Sequence, residues 1–207
     1  MTMPVRRSIA CAMLIAVIGA AGVAGATVND AAYFINQLGN QAISTLRATD
    51  LTLDQRESRF RSLLSEGFDL RFIGRFVLGR YWRGATPDQQ NDYIALYGEY
   101  LLQTYAARLG GYAGEIMMVT GARRANDKDI VVSTKLDRPS GPSIAADWRV
   151  RLIDGRYRII DVMVEGISMA ITQRSDFASV VRRDGIDGLL IILRARTTKI
   201  SATAAMN

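Results

Sequence analysis

The sequence predicts an α+β domain in which a curled four-stranded antiparallel sheet is covered by N- and C-terminal helices that enclose an apolar cavity. Three observations lead there. Apolar residues recur every three or four positions from Val28 to about Leu109, which is the helical period. Between Glu115 and Glu165 the period drops to two, as in half-buried strands. Helical spacing returns beyond Gly166. Runs of helices on either side of a strand meander place helices against one face of a sheet.

The elements follow in order. Val28, Ala31, Ile35, Leu38, Ala42 and Leu46 form the apolar stripe of a first helix, with Thr27 or Asn29 as its cap. Thr52-Leu53-Asp54-Gln55 has capping-box spacing and opens a second helix through Phe60, Leu63 and Leu64, stopped by Gly67. Asp69 caps a third that carries Ile73, Phe76, Val77 and Leu78. Thr86-Pro87-Asp88-Gln89 combines a cap, a proline at the first helical position and a Gln three residues on, and the long helix it opens meets Gly110-Gly111. Strands are expected over Glu115–Thr120 and Ile130–Leu136. Two more alternate through Trp148, Val150 and Leu152 and, after an Asp154-Gly155 hairpin turn, through Ile160, Val162 and Val164. Ile167, Ala170, Ile171 and Phe177 resume the helical period, and a last helix follows Gly185 with Leu189, Ile192 and Leu193.

Composition excludes much chemistry. The chain has 207 residues, 49% apolar and 22% charged, which suits one folded domain. It has no histidine and a single cysteine, Cys11. Arg6-Arg7, an uncharged stretch from Ile9 to Ile18, and an Ala/Gly-rich end at Ala24-Gly25-Ala26 have the order of a secretory signal peptide, with cleavage expected after Ala26. The domain organisation is then a leader over residues 1–26, one domain over 27–197 and a flexible tail over 198–207. Loss of Cys11 with the leader removes His/Cys zinc sites, Ser-His-Asp and Cys-His pairs, redox thiols and disulfides together. No metal, cofactor or catalytic set is assigned. Of 26 basic residues two lie in the leader, so the remainder carries 24 against 20 acidic, a net of +4 without a basic run. That argues against nucleic acid and mildly for anionic partners such as membrane surfaces. Nothing calls for an oligomer, and a monomer is expected.

The remaining candidates are few. Asp147 and Asp161 fall on opposite strands of the hairpin, where the alternation sets them beside Arg149, Arg151 and Arg158, so cross-strand ion pairing explains them more simply than catalysis. Aromatic residues are concentrated between Phe72 and Tyr105, several on one helical face. Ordinary core accounts for that pattern; a greasy pocket between helices and sheet is the functional alternative. Its candidate wall is Phe76, Tyr81, Trp82, Tyr97, Leu101, Tyr105, Trp148, Val150, Ile160, Val162, Val164 and Met169. Met117, Met118 and Met163 are adaptable neighbours. Arg71, Arg75, Arg80 and Arg83 beside the aromatics suit lipid headgroups, an acidic partner or plain solvent.

Five segments carry a family resemblance: FDLRFIGRFVLGRYWR over Phe68–Arg83, ATPDQQ over Ala85–Gln90, YLLQTYAARL over Tyr100–Leu109, DVMVEGISM over Asp161–Met169 and TQRSDFASVVRRDGIDGL over Thr172–Leu189. In this order, across about residues 30–195, they resemble the MlaC-type, toluene-tolerance family of periplasmic lipid carriers. The LGRYWR and TYAARL wording is also similar to a branch associated with hopanoid biosynthesis. The resemblance implies a soluble shuttle carrying phospholipid, or a hopanoid-like lipid, between an outer-membrane lipoprotein complex and an inner-membrane lipid transporter complex. It implies buried acyl chains, an exposed headgroup and no enzymatic step. Two other readings stand beside it. A proton-transfer enzyme would need Asp147 or Asp161 inside the pocket; an assembly or scaffold factor in hopanoid handling would show an exposed patch in place of an enclosed cavity. Sequencing the N-terminus of protein recovered from the periplasm should begin at Thr27, and an exported chain that still starts near Met1 would contradict the leader.

Overall fold

A computed structural model describes residues 26–106 and 114–204, without the side chains of residues 105, 106 and 199–204. The capping signals act where the sequence puts them. Helix α1 (Val28–Arg47) starts at Thr27, whose Oγ1 accepts from the Asp30 amide at 3.1 Å. Helix α2 (Leu53–Gly67) carries the complete capping box: Gln55 N donates to Thr52 Oγ1 at 3.2 Å, and Thr52 N donates to Gln55 Oε1 at 3.0 Å. Asp69 accepts from Phe72 N at 2.8 Å and opens α3 (Leu70–Leu78), which passes through a 3-10 turn at Gly79–Gly84. Thr86 and Gln89 repeat the reciprocal pair, at 3.2 and 3.0 Å, before α4 (Pro87–Ala106). The expected stop of α4 near Gly110 lies outside the described residues.

The sheet is an open antiparallel meander, β1 (Ile116–Arg124), β2 (Asp129–Asp137), β3 (Ile144–Ile153), β4 (Arg156–Val164) and β5 (Ile167–Ser168), paired in chain order. It has five strands, not the expected four. The fifth forms because Glu165 and Gly166 both take positive φ, 49° and 77°, as Asp154 and Gly155 do at 48° and 74°. That geometry closes a two-residue hairpin and returns Ile167 opposite Val164. The helical stripe read from Ile167 onward therefore starts two residues late, at Met169. Beyond the two residues paired with β5, the same edge of β4 is covered at Ile159 by the α2–α3 junction, where Asp69 N donates to Ile159 O at 2.9 Å. Helix α5 (Met169–Ala204) breaks at Gly185, whose φ of 71° and ψ of −178° suit glycine alone. Residues 198–204, placed in a tail by the sequence, are helical, and among the described residues no helix is long and apolar enough to cross a membrane.

Two apolar clusters form, where a domain of this size usually builds one. The first is helical: Ile73, Val77 and Leu78 of α3, Tyr93 and Tyr97 of α4, and Ala170, Phe177, Val181, Leu189, Leu190 and Leu193 of α5. Tyr93 and Tyr97 stack at 5.6 Å, with the Phe177 ring set edge-on to both at 6.3 and 6.1 Å. Burial pushes the Tyr93 phenol up, and it donates to Gly74 O at 3.0 Å. The second joins Ala31 and Ile35 of α1 to Ile130, Val132, Val150 and Ile159 of the sheet. Phe68 packs partly against each.

On the other face of the sheet Asp129, 1% exposed, receives Arg151 Nε at 2.7 Å and Arg149 Nε and Nη2 at 2.9 and 2.8 Å. This is the cross-strand ion pair of the sheet. It falls on Asp129, whereas the alternation points to Asp147 and Asp161. Asp147 accepts from Ser133 Oγ at 2.6 Å. Burial alone would raise the Asp129 carboxyl, but hydrogen bonds from Arg151, Asn126 and Arg149 hold it below the usual carboxylate value. A depressed folded-state pKa adds stability above the unfolded value, near 4, and that contribution disappears as pH falls through the folded value. Asp129→Asn should therefore cost about 2 kcal/mol at neutral pH and flatten the acid limb of stability below about pH 4. Denaturant melts at a series of pH values measure both effects; an unchanged acid limb would contradict the assignment.

Candidate functional site

A cavity of about 850 Å³ lies between the two clusters. Its size is near the upper end of the roughly 300–1,000 Å³ of small-molecule sites. One wall is the inner face of the sheet: Met117 of β1, Thr134 and Leu136 of β2, Ile144, Ala146 and Trp148 of β3, and Val162 and Val164 of β4. Register explains the set. Leu136 faces Ile144, Thr134 faces Ala146, Ala146 faces Val164 and Trp148 faces Val162, so these residues occupy adjacent rows of one face. The next row, Ile130, Val150 and Ile159, lies on the same face but under α1. Helix α1 thus divides the inner face into a packed half and a hollow half. Opposite stand Leu38, Ala42 and Ile43 of α1, Phe60, Leu63 and Leu64 of α2, Leu70 and Ile73 of α3, Tyr97, Leu101 and Leu102 of α4, and Met169 and Ala170 of α5. Most of these large apolar side chains are only half-buried, because they face the void in place of one another.

Polar groups in the lining are few: Thr104, Thr134, Asp161, Glu165 and Gln173. Thr134 is satisfied within the wall, accepting from Trp148 Nε1 at 2.8 Å and donating to Ala146 O at 3.1 Å. Asp161 accepts from Ser168 Oγ at 2.6 Å and from the Val162 and Ala170 amides at 2.8 and 3.2 Å, fixing the start of α5. Both of its oxygens are engaged in that way, which replaces the arginine pairing expected of it. Gln173 Oε1 accepts from Tyr97 Oη at 2.6 Å. Among the described lining residues the exposed ones are Glu165 and Ile167, the latter 59% accessible, so the cavity opens at the β4–β5 hairpin.

The structure separates the candidate wall residues. Tyr97, Leu101, Trp148, Val162, Val164 and Met169 meet around the cavity, with Met117 beside them. Val150, fully buried, belongs to the packed row under α1. Ile160 is displaced by a bulge: Val150 pairs with Ile159 and Arg149 with Asp161, so Ile160 has no place in the alternation and is buried off the cavity. Phe76, Tyr81 and Trp82 lie off the cavity as well, at the surface of the helical cluster under guanidinium groups: Arg174 over Phe76 at 5.1 Å, Arg80 over Tyr81 at 4.9 Å and Arg75 over Trp82 at 5.3 Å. Arg80 also donates to Tyr81 Oη at 2.9 Å and holds that phenol below its ordinary value. The Tyr105 side chain lies outside those described. Met118 is exposed and Met163 half-buried, both off the cavity. Sequence reasoning missed the contributions of α1 and α2, though the stripe through Leu38 and Ala42 and the triplet Phe60, Leu63, Leu64 carried the signal.

Comparison with known proteins bears on this architecture. A solved structure of a phospholipid-binding protein from Ralstonia solanacearum, in complex with a phospholipid, superposes with a TM-score of 0.73 at 24% identity, covering 83% of this chain and 98% of that one. The intermembrane phospholipid transport system binding protein MlaC of Haemophilus influenzae is 20% identical over 164 residues, 75% of this chain and 77% of its own length. The toluene tolerance protein ttg2D of Pseudomonas putida is 27% identical over 108 residues, about half of each chain. The model of the MlaC protein family matches residues 36–195, a span that includes α2 to α4, the sheet and most of α5, and the chain therefore belongs to the MlaC family.

Proposed function

We propose that the protein is a periplasmic lipid carrier that holds the acyl chains of a phospholipid in the cavity and leaves the headgroup at the Glu165–Ile167 mouth. It would move its cargo between an outer-membrane lipoprotein complex and an inner-membrane lipid transporter complex, exported by the leader over residues 1–26. The observation that carries the reading is a large, mostly apolar hollow whose exposed described lining residues, Glu165 and Ile167, lie at the β4–β5 hairpin. The side chains lining the hollow of about 850 Å³ find little contact within the protein. Two acyl chains with roughly 28 methylenes cost on the order of 20 kcal/mol to leave in water. Wall and cargo therefore each supply the burial that the other lacks.

The family membership and the phospholipid named for two of its relatives support the same ligand class. A hopanoid has no such support, and the proposal takes phospholipid. It assigns no chemical step: of the two carboxylates in the lining, Asp161 is spent on the start of α5, and Glu165, at the mouth, accepts from Ala145 N at 2.7 Å. Apolar contacts dominate because release matters as much as capture. A carrier that bound far more tightly than a bilayer would trap its cargo.

Two measurements test the reading. Denaturing mass spectrometry of protein purified from periplasm should release phospholipid in stoichiometric amount. Ala42→Trp with Ala146→Trp, substitutions from opposite walls, should cut lipid occupancy at least tenfold while circular dichroism and thermal unfolding stay near wild type. Full occupancy in that folded variant would contradict the cavity as the lipid site.

A further inference from the structure

Most polar groups in the cavity wall have partners within the protein, Glu165 at the mouth included, whose Oε1 accepts from Ala145 N at 2.7 Å. Thr134 and Asp161 have their partners within the wall, as above. Thr104 Oγ1 donates to Tyr100 O at 2.6 Å. Gln173 differs. Its Oε1 takes the Tyr97 phenol proton, but among the described residues nothing accepts from its Nε2 amide group. The side chain is half-buried, in a wall otherwise made of Tyr97, Met169 and Ala170 on this side. The amide is not sealed from solvent, so water can hydrate it in the empty protein, whereas hydrocarbon that displaces that water leaves the donor dependent on an acceptor carried by the ligand.

Position narrows the ligand group. Gln173 lies one helical turn past Met169, where α5 leaves β5 and the mouth at Glu165 and Ile167. Along the chain that is the side of the hollow nearest its exposed lining residues, Glu165 and Ile167. In a lipid seated tails-inward, the group on that side is the glycerol ester, whose carbonyls accept hydrogen bonds and donate none. The phosphate lies farther out, beyond the mouth.

We infer that Gln173 Nε2 donates to an acyl-ester carbonyl of the bound lipid, with Tyr97 as the positioning residue that orients the amide, so that the cavity distinguishes ester-linked from ether-linked glycerolipids. The inference rests on the carrier reading and deepens it: length and saturation of the tails are read only through volume, whereas the linkage is read by one hydrogen bond. Tyr97, 1% exposed and stacked on Tyr93, is rigid enough to hold Gln173 Oε1 in place. Without the phenol the amide is free to turn.

The test offers the full-length mature protein vesicles containing equimolar diacyl- and dialkyl-phosphatidylglycerol of matched chain length, then reads the bound ratio by mass spectrometry. The diester-to-diether ratio in wild type should exceed that in Gln173→Leu by about fivefold, the scale of one hydrogen bond. Tyr97→Phe, which preserves the stack, should fall between them. Equal ratios in wild type and Gln173→Leu would overturn the inference and leave the carrier reading intact. Wild-type protein recovered with no lipid of any kind would remove the carrier reading, and the inference with it. Should Gln173→Leu fail to fold, wild type taking the diether as readily as the diester overturns the proposal by itself, and a marked diester preference that Tyr97→Phe diminishes upholds it.

Discussion

Everything at the candidate site follows from the failure of two apolar clusters to meet. The helical cluster is closed by Tyr93, Tyr97 and Phe177, and the sheet cluster by α1 lying over Ile130, Val150 and Ile159. Each is a complete small core. Phe68, held at the sheet edge by the backbone bond from Asp69 to Ile159, touches both but cannot fill the space between them. The side chains facing that space gain little from the protein itself. In the carrier reading a guest supplies the contact those side chains lack.

Rigid backbone keeps the walls apart. The β2–β3 ladder runs unbroken from Asp129 to Leu136, β4 extends the sheet across one bulge, and the buried Asp129 ties β2 to β3 through two arginines on the opposite face. At the other wall, Arg61 pairs with Glu99 at 2.6 Å between α2 and α4, and Arg158 of β4 donates to the Ser65 and Glu66 carbonyls at the end of α2. Polar ties of this kind fix distances without filling volume. They let Phe60, Leu63 and Leu64 overhang the cavity while remaining attached to a framework.

Most of the fold was legible in the sequence because its boundaries are chemical. Thr52 with Gln55, Asp69, and Thr86 with Gln89 each satisfy specific amides, and the structure shows those bonds. The fifth strand was not legible because Glu165-Gly166 is a weaker hairpin signal than Asp154-Gly155, although both pairs adopt the same backbone. The cavity was half legible. Alternation places Trp148 and Val150 on one face, but nothing in it tells which row α1 will cover, so Val150 reads as wall and lies in core. A single bulge at Ile160 resets the phase of β4, and bulges leave no mark in a run such as Ile159-Ile160. Phe76, Tyr81 and Trp82 look like pocket residues by type. Their place is decided by the 3-10 turn at Gly79–Gly84 and by the arginines stacked on them.

The central claim is that the hollow is a compartment for removable hydrocarbon. A crystal structure of protein taken directly from periplasm, without detergent or added lipid, tests it most directly. The account predicts continuous elongated density running from the Glu165–Ile167 mouth inward between Leu64 and Trp148, with no side chain of the protein crossing it. A structure in which Phe60, Leu63 and Leu64 have collapsed onto Trp148 and Val162, leaving no space for a chain of carbons, would contradict it.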